Sequence, residues 1–320
     1  MVVGSASRDV AAGDRRGWRL GGGVSYGALT AARLGPRTAA IVGVDGTAAT
    51  AIELDLLRQA GVDVELVELR SAPVFDNVQT PAGRVQECLE PGLPLPPERT
   101  PVAWRNAPAW LLAPVAGELP DGWAEVPSPD AVVALGWQGL LRRLAAGRHV
   151  ERLPPTASPI VRRAGLVGVS TEDLDPGQEV AALTRLLRPA ATLLLTRSDG
   201  GGLAIATDGD EQPASIRAYP AIPARHVVDP TGAGDVLLAA YLATRLVPEL
   251  AGLRSHGSDL RFAASAASLV VEGPGLTAVP DLAAVLARLR ASVASRPAGR
   301  RPPPEPGASS VAPPGERSQS

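Results

Sequence analysis

The sequence predicts a three-layer α/β protein, in which helices cover both faces of a mostly parallel central sheet. Short apolar segments with the length of strands alternate with segments of helical periodicity along most of the 320 residues. This alternation is typical of parallel sheets, whose strands are joined by helices that pack on the sheet faces. Hydrophobic residues make up 45% of the chain, which is enough to build one large core.

The first half of the chain contains four elements of this pattern and one interruption. They are a short first strand at residues 2–4, a strand at 38–42, a helix at 48–59 that Gly61 closes, and a strand at 62–69. Residues 74–89 instead form two strand-like segments joined by Thr-Pro-Ala-Gly, which predicts a hairpin. We expect either a small antiparallel β lid over the end of the main sheet or an ordinary edge hairpin.

The second half continues the alternation and ends in helices. Residues 296–320 are rich in Pro, Ser, Gly and Arg and offer little apolar surface to bury, so we predict that this segment is disordered. The chain is therefore predicted to be one domain over residues 1–292 followed by a tail at 293–320. The predicted elements of this half are strands at 165–169, 192–196 and 225–228, and helices at 178–187, 234–246, 259–271 and 281–293.

The composition excludes several classes of function. All 31 basic residues are Arg, so the chain has no Lys for a P-loop or for Schiff-base catalysis. Cys88 has no partner for an internal disulfide, and the three histidines, His149, His226 and His256, have no zinc-binding spacing. The formal net charge of −2 gives no general attraction to nucleic acid or anionic lipid. Since no apolar segment reaches the roughly 20 residues of a membrane span and no secretory signal is evident, we expect a cytoplasmic protein without nucleic-acid or membrane partners.

The segment 229–235, with the sequence Asp-Pro-Thr-Gly-Ala-Gly-Asp, carries the most specific chemical signal. We expect a strand to end just before it and a helix to begin near Gly234. Backbone N–H groups at a helix start are unpaired and carry the positive end of the helix dipole, and small residues let a phosphate approach them. Gly232, Ala233 and Gly234 would therefore form an anion hole, and Asp235 would accept a proton from an attacking hydroxyl. The alternative is that Asp235 only stabilises the helix start.

This segment resembles the second signature of the ribokinase-like (PfkB) carbohydrate kinases. The family's first signature is similar to residues 21–35, which begin Gly-Gly-Gly-Val-Ser-Tyr-Gly. The resemblance extends in the expected order over about residues 1–292. It implies the ribokinase-like three-layer α/β/α fold with a lid built from about residues 8–20 and 72–112, and lids in this family often form homodimers.

The resemblance also implies an activity and a set of site residues. The activity is ATP-dependent phosphoryl transfer to a hydroxyl of a small sugar or polyol, with Mg²⁺ and, in many members, a monovalent cation such as K⁺. Asp235 would be the base and residues 232–234 the anion hole. The other implied residues are Asp9, Gly22, Gly23, Tyr26 and the hairpin's Arg84 for the acceptor; Thr196, Ser198, Gly201 and Thr231 for the nucleotide; Glu172 and Asp173 for Mg²⁺ through water; and Asp229 for the monovalent cation.

Three positions depart from the family's usual pattern. Tyr26 stands where most sugar kinases of the family have an Asn that touches the substrate, and a tyrosine variant is found in a branch that includes inositol kinases. The usual Asn-x-x-Glu segment is Ser-Thr-Glu-Asp at residues 170–173, whose acids could instead belong to a helix start. Ser198 replaces the first Gly of the nucleotide turn, a change we expect to affect only adenine-side geometry.

Other functions compete with this interpretation. A nucleoside kinase of the same fold and a non-catalytic nucleotide-binding member both remain compatible with the motifs. Residues 23–27 also fit Gly-x-Ser-x-Gly, which would make Ser25 the nucleophile of a hydrolase with Asp229 or Asp235 and His256. That motif normally follows several strands and here follows one. A Gly-x-Gly-x-x-Gly dinucleotide site is excluded because Tyr26 stands at the last glycine.

Overall fold

The computed structural model describes residues 1–80, 83–208, 213–255 and 257–294. Sixteen strands and eight α-helices are found in this part of the chain, joined by turns and short 3₁₀ segments. The strands are β1 (Val2–Ser5), β2 (Arg8–Val10), β3 (Trp18–Leu20), β4 (Ala39–Val44), β5 (Asp63–Glu68), β6 (Val74–Thr80), β7 (Gly83–Glu90), β8 (Ala109–Leu112), β9 (Val132–Gly136), β10 (Arg142–Arg143), β11 (Arg148–His149), β12 (Glu151–Arg152), β13 (Leu166–Ser170), β14 (Thr192–Thr196), β15 (Gly202–Ala206) and β16 (Ser215–Tyr219). The helices are α1 (Gly23–Arg33), α2 (Glu53–Gln59), α3 (Pro159–Arg163), α4 (Val180–Thr184), α5 (Ala233–Leu246), α6 (Ala251–Ser255), α7 (Asp259–Val270) and α8 (Leu282–Ala294).

A nine-stranded sheet forms the centre of the molecule, in the order β16-β15-β14-β13-β9-β8-β1-β4-β5. The seven strands from β14 to β5 are parallel to their neighbours. The last two strands, β15 and β16, add to one edge in antiparallel register. The predicted mostly parallel sheet is therefore confirmed.

Successive residues of the central strands point into two different hydrophobic clusters. Val2 and Val42 belong to the cluster that contains α1, α5, α7 and α8, whereas their chain neighbours Val3 and Ile41 belong to the cluster that contains α3 and α4. Side chains alternate between the two faces of a strand, so these clusters lie on opposite faces of the sheet. The predicted three-layer α/β/α architecture is confirmed.

A second, five-stranded sheet, called the small sheet below, has the order β11-β7-β6-β2-β3. Its centre is the hairpin predicted from the sequence, in which β6 and β7 pair antiparallel from Val74–Glu90 to Thr80–Gly83. The short strand β2, which directly follows β1 of the main sheet, pairs parallel with β6. The assignment of this sheet as a lid, and of residues 1–292 as one domain, stays a prediction, and residues 295–320 of the predicted tail lie outside the described part.

Three predicted elements differ from the structure. No strand forms at 225–228, because prolines at 220, 223 and 230 remove ladder donors around it and both Val227 (67%) and Val228 (54%) are exposed. The predicted helix 48–59 is a 3₁₀ turn followed by α2, since Ala51 has an extended backbone with ψ 128°. The predicted helix 178–187 is limited to α4, because the chain turns before Pro189 and Ala190 adopts φ 59°.

No single helix in the described residues is long and apolar enough to cross a membrane. One pair, Ala233–Leu246 with Pro248–Arg254, meets the length and composition criteria only when both helices are taken together across a bend of 99°.

Candidate active site

The candidate site lies at the carboxyl edge of the parallel strands, where the chain passes from β1 into the small sheet and where α1 and α5 begin. In open α/β sheets this edge is the usual place for ligands. Helices α1 and α5 pack against each other on one face of the sheet. Their N-terminal ends therefore bring the glycine-rich segment at 21–23 next to the segment at 229–235.

The anion hole predicted at residues 232–234 is the first turn of α5. Gly232 is the residue before the helix and has a left-handed backbone, with φ 80° and ψ −2°. Gly234 is exposed and would meet no atom within 4 Å if it carried a Cβ. The Ala233 N–H donates a 3.4 Å hydrogen bond to the Pro230 carbonyl, and at Gly234 the positive end of this 14-residue helix meets open space. Such a turn can bind a phosphate without a Lys side chain.

Asp235 is the third residue of α5, directly after residues 232–234, and is half-buried. A Cβ added to Gly23, the first residue of α1, would lie 2.7 Å from Asp235 Oδ1. A Cβ added to Gly136, at the end of β9, would lie 4.0 Å from the same oxygen. The carboxylate therefore lies against two glycine backbones, and a larger residue at position 23 would displace it.

The glycine run 21–23 connects Asp235 with the second predicted carboxylate, Asp9. A Cβ on Gly21 would overlap the Asp9 carboxylate, and one on Gly22, which has φ 88°, would lie 2.5 Å from the Ser5 carbonyl oxygen. The Ser7 hydroxyl donates a 3.0 Å hydrogen bond to Asp9 Oδ1. The structure therefore places Asp9 at one end of a backbone strip without side chains and Asp235 at the other end.

Asp229 joins two loops beside the anion hole. Its Oδ1 accepts a hydrogen bond from the Thr231 N–H at 2.9 Å, and its Oδ2 accepts one from the Gly275 N–H at 3.2 Å. Both oxygens thus already stabilise backbone. A role for Asp229 in binding a monovalent cation stays a prediction.

The predicted nucleotide turn follows β14, which ends at Thr196. Ser198 adopts φ 46° and Gly201 φ 78°, and a Cβ on Gly201 would overlap the carbonyl oxygen of Tyr219. The positive φ at Ser198 lies in the region that favours glycine, which accounts for the Gly usually found there in the family that the motifs resemble. The Ser198 hydroxyl donates a short hydrogen bond to the Glu172 carboxylate and so connects this turn to the end of β13.

The two candidate Mg²⁺ residues differ in how they are engaged. Asp173 Oδ1 accepts a hydrogen bond from Gln138 Nε2 at 2.8 Å and lies 3.7 Å from Arg142 Nη2. Glu172 lies just after the carboxyl end of β13 and is exposed, and its carboxylate accepts a hydrogen bond from the Ser198 hydroxyl. Since Mg²⁺ in such sites takes one or two carboxylates, water and substrate phosphates, Glu172 fits that donor set better than Asp173. The described residues contain no group of three or more His, Cys, Asp or Glu side chains that could hold a metal by themselves.

Tyr26, predicted to contact the acceptor, lies in the core. It is 2% exposed, and its ring packs directly against Gly232. Ser25, the nucleophile of the hydrolase alternative, is fully buried and donates a 3.0 Å hydrogen bond to the Gly21 carbonyl. This placement gives Ser25 a structural role at the start of α1 and argues against a hydrolase. The side chain of Arg84 and residue His256 lie outside the described part of the chain.

The small sheet carries a pair of amides, of which the sequence indicates only Gln86, as a hairpin residue that either reaches into the pocket or is an exposed lid residue; Asn77 was missed. Asn77 and Gln86 are directly opposite on β6 and β7, and Gln86 Nε2 donates a 2.8 Å hydrogen bond to Asn77 Oδ1. Alternation along the strands places them on the same face as Phe75 and Cys88, which pack against Val115 in the segment after β8. Asp9 is paired with Phe75 and so shares this inner face. The two-residue period of the hairpin was the signal that could have identified the pair.

Beneath the site, Glu118 holds two of the strand ends together. Its carboxylate accepts hydrogen bonds from the N–H groups of Ser5 (2.9 Å), Val115 (3.0 Å) and Ala116 (2.8 Å). Ser5 ends β1 and the other two follow β8, the neighbouring strand. Burial raises the pKa of Glu118, although these backbone donors act in the opposite direction.

Known proteins resemble this chain in sequence over part of its length and in fold over most of it. The model of the pfkB family of carbohydrate kinases matches residues 175–282, which include the 229–235 segment. A ribokinase from Arabidopsis thaliana is 34% identical over 145 residues, which are 45% of this chain and 35% of that protein. The matched part thus spans about a third of the length of this relative. The resemblance to the ribokinase-like (PfkB) family is confirmed.

Solved structures match over most of the chain. A pyrophosphate-dependent kinase in the ribokinase family, complexed with a pyrophosphate analogue and myo-inositol, has a TM-score of 0.66 and 20% identity, with 86% of this chain and 95% of that chain covered. The Arabidopsis thaliana ribokinase complexed with ribose and ATP has a TM-score of 0.61 and 19% identity, with 90% and 98% covered. At these identities the likeness concerns the fold.

Proposed function

We propose that this chain, which has the ribokinase fold and a pfkB-family segment at 175–282, transfers the γ-phosphoryl group of ATP to a hydroxyl of a small sugar or polyol. One observation carries the proposal. The Asp235 carboxylate lies at the mouth of the 232–234 turn and against Gly23, the last residue of the acceptor-side glycine run. A base, an anion-binding turn and the glycine run that connects Asp235 with Asp9 therefore meet at one place.

In the proposed reaction, Asp235 accepts the proton of the acceptor hydroxyl as that oxygen forms a bond to the γ-phosphorus. The bond between the γ-phosphorus and the β,γ-bridging oxygen breaks, and ADP leaves with the bond's electrons. The N–H groups of the 232–234 turn stabilise the charge on the transferring phosphoryl oxygens. Mg²⁺, held through water by Glu172, would supply further neutralisation of the donor phosphates when bound.

The acceptor class is proposed from the polar groups on the inner side of the small sheet. Asp9, Ser7 and the amide pair Asn77–Gln86 offer donors and acceptors of hydrogen bonds that match several hydroxyl groups. Their arrangement on one strand-paired face suits a ring that carries hydroxyls around its edge. This supports a sugar or cyclic polyol more than a nucleoside, whose base would require an apolar or aromatic surface.

The donor is proposed to be ATP because apolar surface lies next to the anion hole. Val227 and Val228 directly precede Asp229 and are both exposed, so they could cover an adenine ring. A second candidate donor is inorganic pyrophosphate, because the structurally similar kinase that binds myo-inositol is pyrophosphate-dependent. A member that binds nucleotide without turnover is the third alternative.

The small sheet is proposed to act as a lid and to mediate a homodimer. Its outer face, opposite the face of Asn77, carries Val10, Val78, Val85 and Leu89, each between 38% and 50% exposed. Val78 and Val85 are directly opposite each other on β6 and β7, and an exposed apolar pair of this kind supports an interaction surface on this face. Light scattering coupled to size-exclusion chromatography tests this proposal. A Val78→Asp and Val85→Asp double variant should be monomeric if the outer face is the interface.

The activity is tested by measuring phosphate transfer from Mg·ATP and, separately, from Mg·pyrophosphate to pentoses, hexoses, inositols and nucleosides. Asp235→Asn should lower kcat by a factor on the order of 10² or more, because general-base assistance is lost. Asp281→Asn is the control, since Asp281 is likewise an acidic residue at a helix start and accepts a hydrogen bond from the backbone of Ala284. Acceptor-dependent transfer that Asp235→Asn retains would overturn the mechanism, and no transfer with any pair would support the non-catalytic alternative.

A further inference from the structure

We infer that Tyr26 is a positioning residue of the anion hole and makes no contact with the acceptor. The inference rests on the proposed function for its catalytic consequence, but the packing that carries it is independent of the substrate. The position of Tyr26 in the chain predicts a contact with the acceptor. The structure instead places its ring against Gly232, in the turn that would bind the phosphoryl group.

The first observation is the contact between Tyr26 and Gly232. A Cβ built on Gly232 would overlap three carbons of the Tyr26 ring, and no other neighbour lies as close. Gly232 has a left-handed backbone, with φ 80°, at the position directly before the first residue of α5. The ring is fully enclosed in the core and fills the space behind this glycine. The turn therefore rests on a rigid, flat surface.

The second observation concerns the hydroxyl end of the ring. A Cβ on Gly275 would lie 4.0 Å from Tyr26 Oη. The Gly275 N–H donates to Asp229, and the other oxygen of Asp229 accepts from Thr231 just before the anion hole. Tyr26 thus lies next to both loops that Asp229 connects. The Asp229 carboxylate fixes the segment just before the anion hole through hydrogen bonds from two backbone N–H groups, and the Tyr26 ring packs against Gly232.

The third observation is the place of Tyr26 on α1. Gly23 and Tyr26 are three residues apart, so they share one face of this helix. Gly23 contacts the Asp235 carboxylate, and Tyr26 contacts Gly232. A single face of α1 therefore fixes both the base and the anion hole at a set separation. Small displacements of such groups cost large factors in rate, because the donors must point at the transition state before the reaction begins.

The test compares Tyr26→Ala, Tyr26→Leu and Tyr26→Phe with Phe262→Ala. Phe262 is a fully buried aromatic residue of the same core cluster, on α7, and its truncation controls for a general loss of stability. The measurements are kcat, the KM of the acceptor, and the thermal stabilisation by sulfate as a probe of the anion hole. The sulfate measurement does not require the acceptor or the donor to be known.

Tyr26→Ala should lower kcat by a factor of about 10 to 100, leave the acceptor KM within about 3-fold of wild type, and lose the sulfate stabilisation that Phe262→Ala retains. Tyr26→Phe should rescue most of kcat, because the ring remains. If Tyr26→Ala does not fold, Tyr26→Leu, which keeps most of the volume without the flat ring, should show the same changes in weaker form.

A higher acceptor KM at unchanged kcat would overturn the inference, because it would place Tyr26 in the acceptor pocket. Sulfate stabilisation equal to that of wild type in the Ala and Leu variants would also overturn it. A wild-type protein that binds sulfate but transfers no phosphate would contradict the proposed function alone, and the sulfate comparison among the variants would still decide the role of Tyr26.

Discussion

Asp9 and Asp235 lie at opposite ends of the same glycine run, but their surroundings give them different roles. Asp235 lies in the first turn of α5, at the positive end of the helix dipole, where negative charge on a phosphoryl group would also be attracted. Asp9 lies on the small sheet, where its carboxylate accepts a hydrogen bond from the Ser7 hydroxyl. The first arrangement suits proton abstraction next to phosphoryl transfer, and the second suits the recognition of hydroxyl groups.

Asp9→Asn should raise the acceptor KM by roughly 10- to 100-fold and change kcat less. The reason is that a hydrogen bond from a hydroxyl to a charged acceptor contributes about 1.5–3 kcal/mol, more than one to a neutral amide. Steady-state kinetics with the acceptor found in the panel provide the measurement. Asp76→Asn, a neighbouring substitution on the outer face of β6, is the control and should leave KM unchanged. An equal KM in Asp9→Asn would show that Asp9 does not bind the acceptor.

At the scale of elements, α5 and α1 form one unit around the 229–235 segment. The left-handed Gly232 lets the chain enter α5 abruptly from the preceding loop, whose Pro230 carbonyl accepts a 3.4 Å hydrogen bond from the Ala233 N–H. Gly234, two residues later, is helical and lies in open space. The two glycines are therefore needed for different reasons, one for backbone conformation and packing and the other for access.

A pair of alanine substitutions separates these reasons. Gly232→Ala should lower the melting temperature and kcat together, because alanine is strained at φ 80° and its methyl group overlaps the Tyr26 ring. Gly234→Ala should fold with equal or higher stability, since alanine is favoured in a helix by about 1 kcal/mol over glycine. It should still lower activity, because its methyl group occupies the path of the phosphate. Thermal unfolding and steady-state kinetics of both variants check this, and equal stability of the two would contradict the packing argument.

At the scale of the whole molecule, the fully buried Glu118 connects the centre of the sheet to the site above it. Its carboxylate satisfies N–H groups from two neighbouring strand ends. Glu118→Ala would leave these donors buried without a partner, each at a cost of about 1–3 kcal/mol. In addition to the backbone pairing of β1 with β8, this side chain links the end of β1, where the chain enters the small sheet, to the segment after β8.

Glu118 also gives stability a pH dependence of defined sign. Because burial raises its pKa in the folded protein, the native state binds this proton more tightly than the unfolded state does. The contribution of Glu118 is therefore present at low pH and is lost as pH rises above the ordinary glutamate range through the raised native pKa. Urea unfolding at a series of pH values should show this decline in the free energy of unfolding, and Glu118→Gln should flatten it. Glu125→Gln, an exposed control, should keep the wild-type profile.

Local patterns in the chain were sufficient to predict the layers of the fold, the hairpin and the start of α5. They are encoded by neighbouring residues: the alternation of apolar segments, the turn sequence at 80–83 and the small residues at 232–234. The same reasoning placed a strand at 225–228, because two valines in a row look like a strand when their exposure is unknown. Prolines on both sides decided otherwise.

The roles of side chains around the site were decided by tertiary structure. From the sequence, Tyr26 was a departure in an acceptor motif, Ser25 a possible nucleophile and Asp173 a metal ligand. In the folded chain the first fills the space behind Gly232, the second is buried against the Gly21 carbonyl, and the third is engaged by Gln138 and Arg142. The sequence by itself determined the periodicities and the helix start, because these depend on residues adjacent in the chain. The partners of each side chain depend on which distant segments the sheet brings together, and only packing in three dimensions determines that.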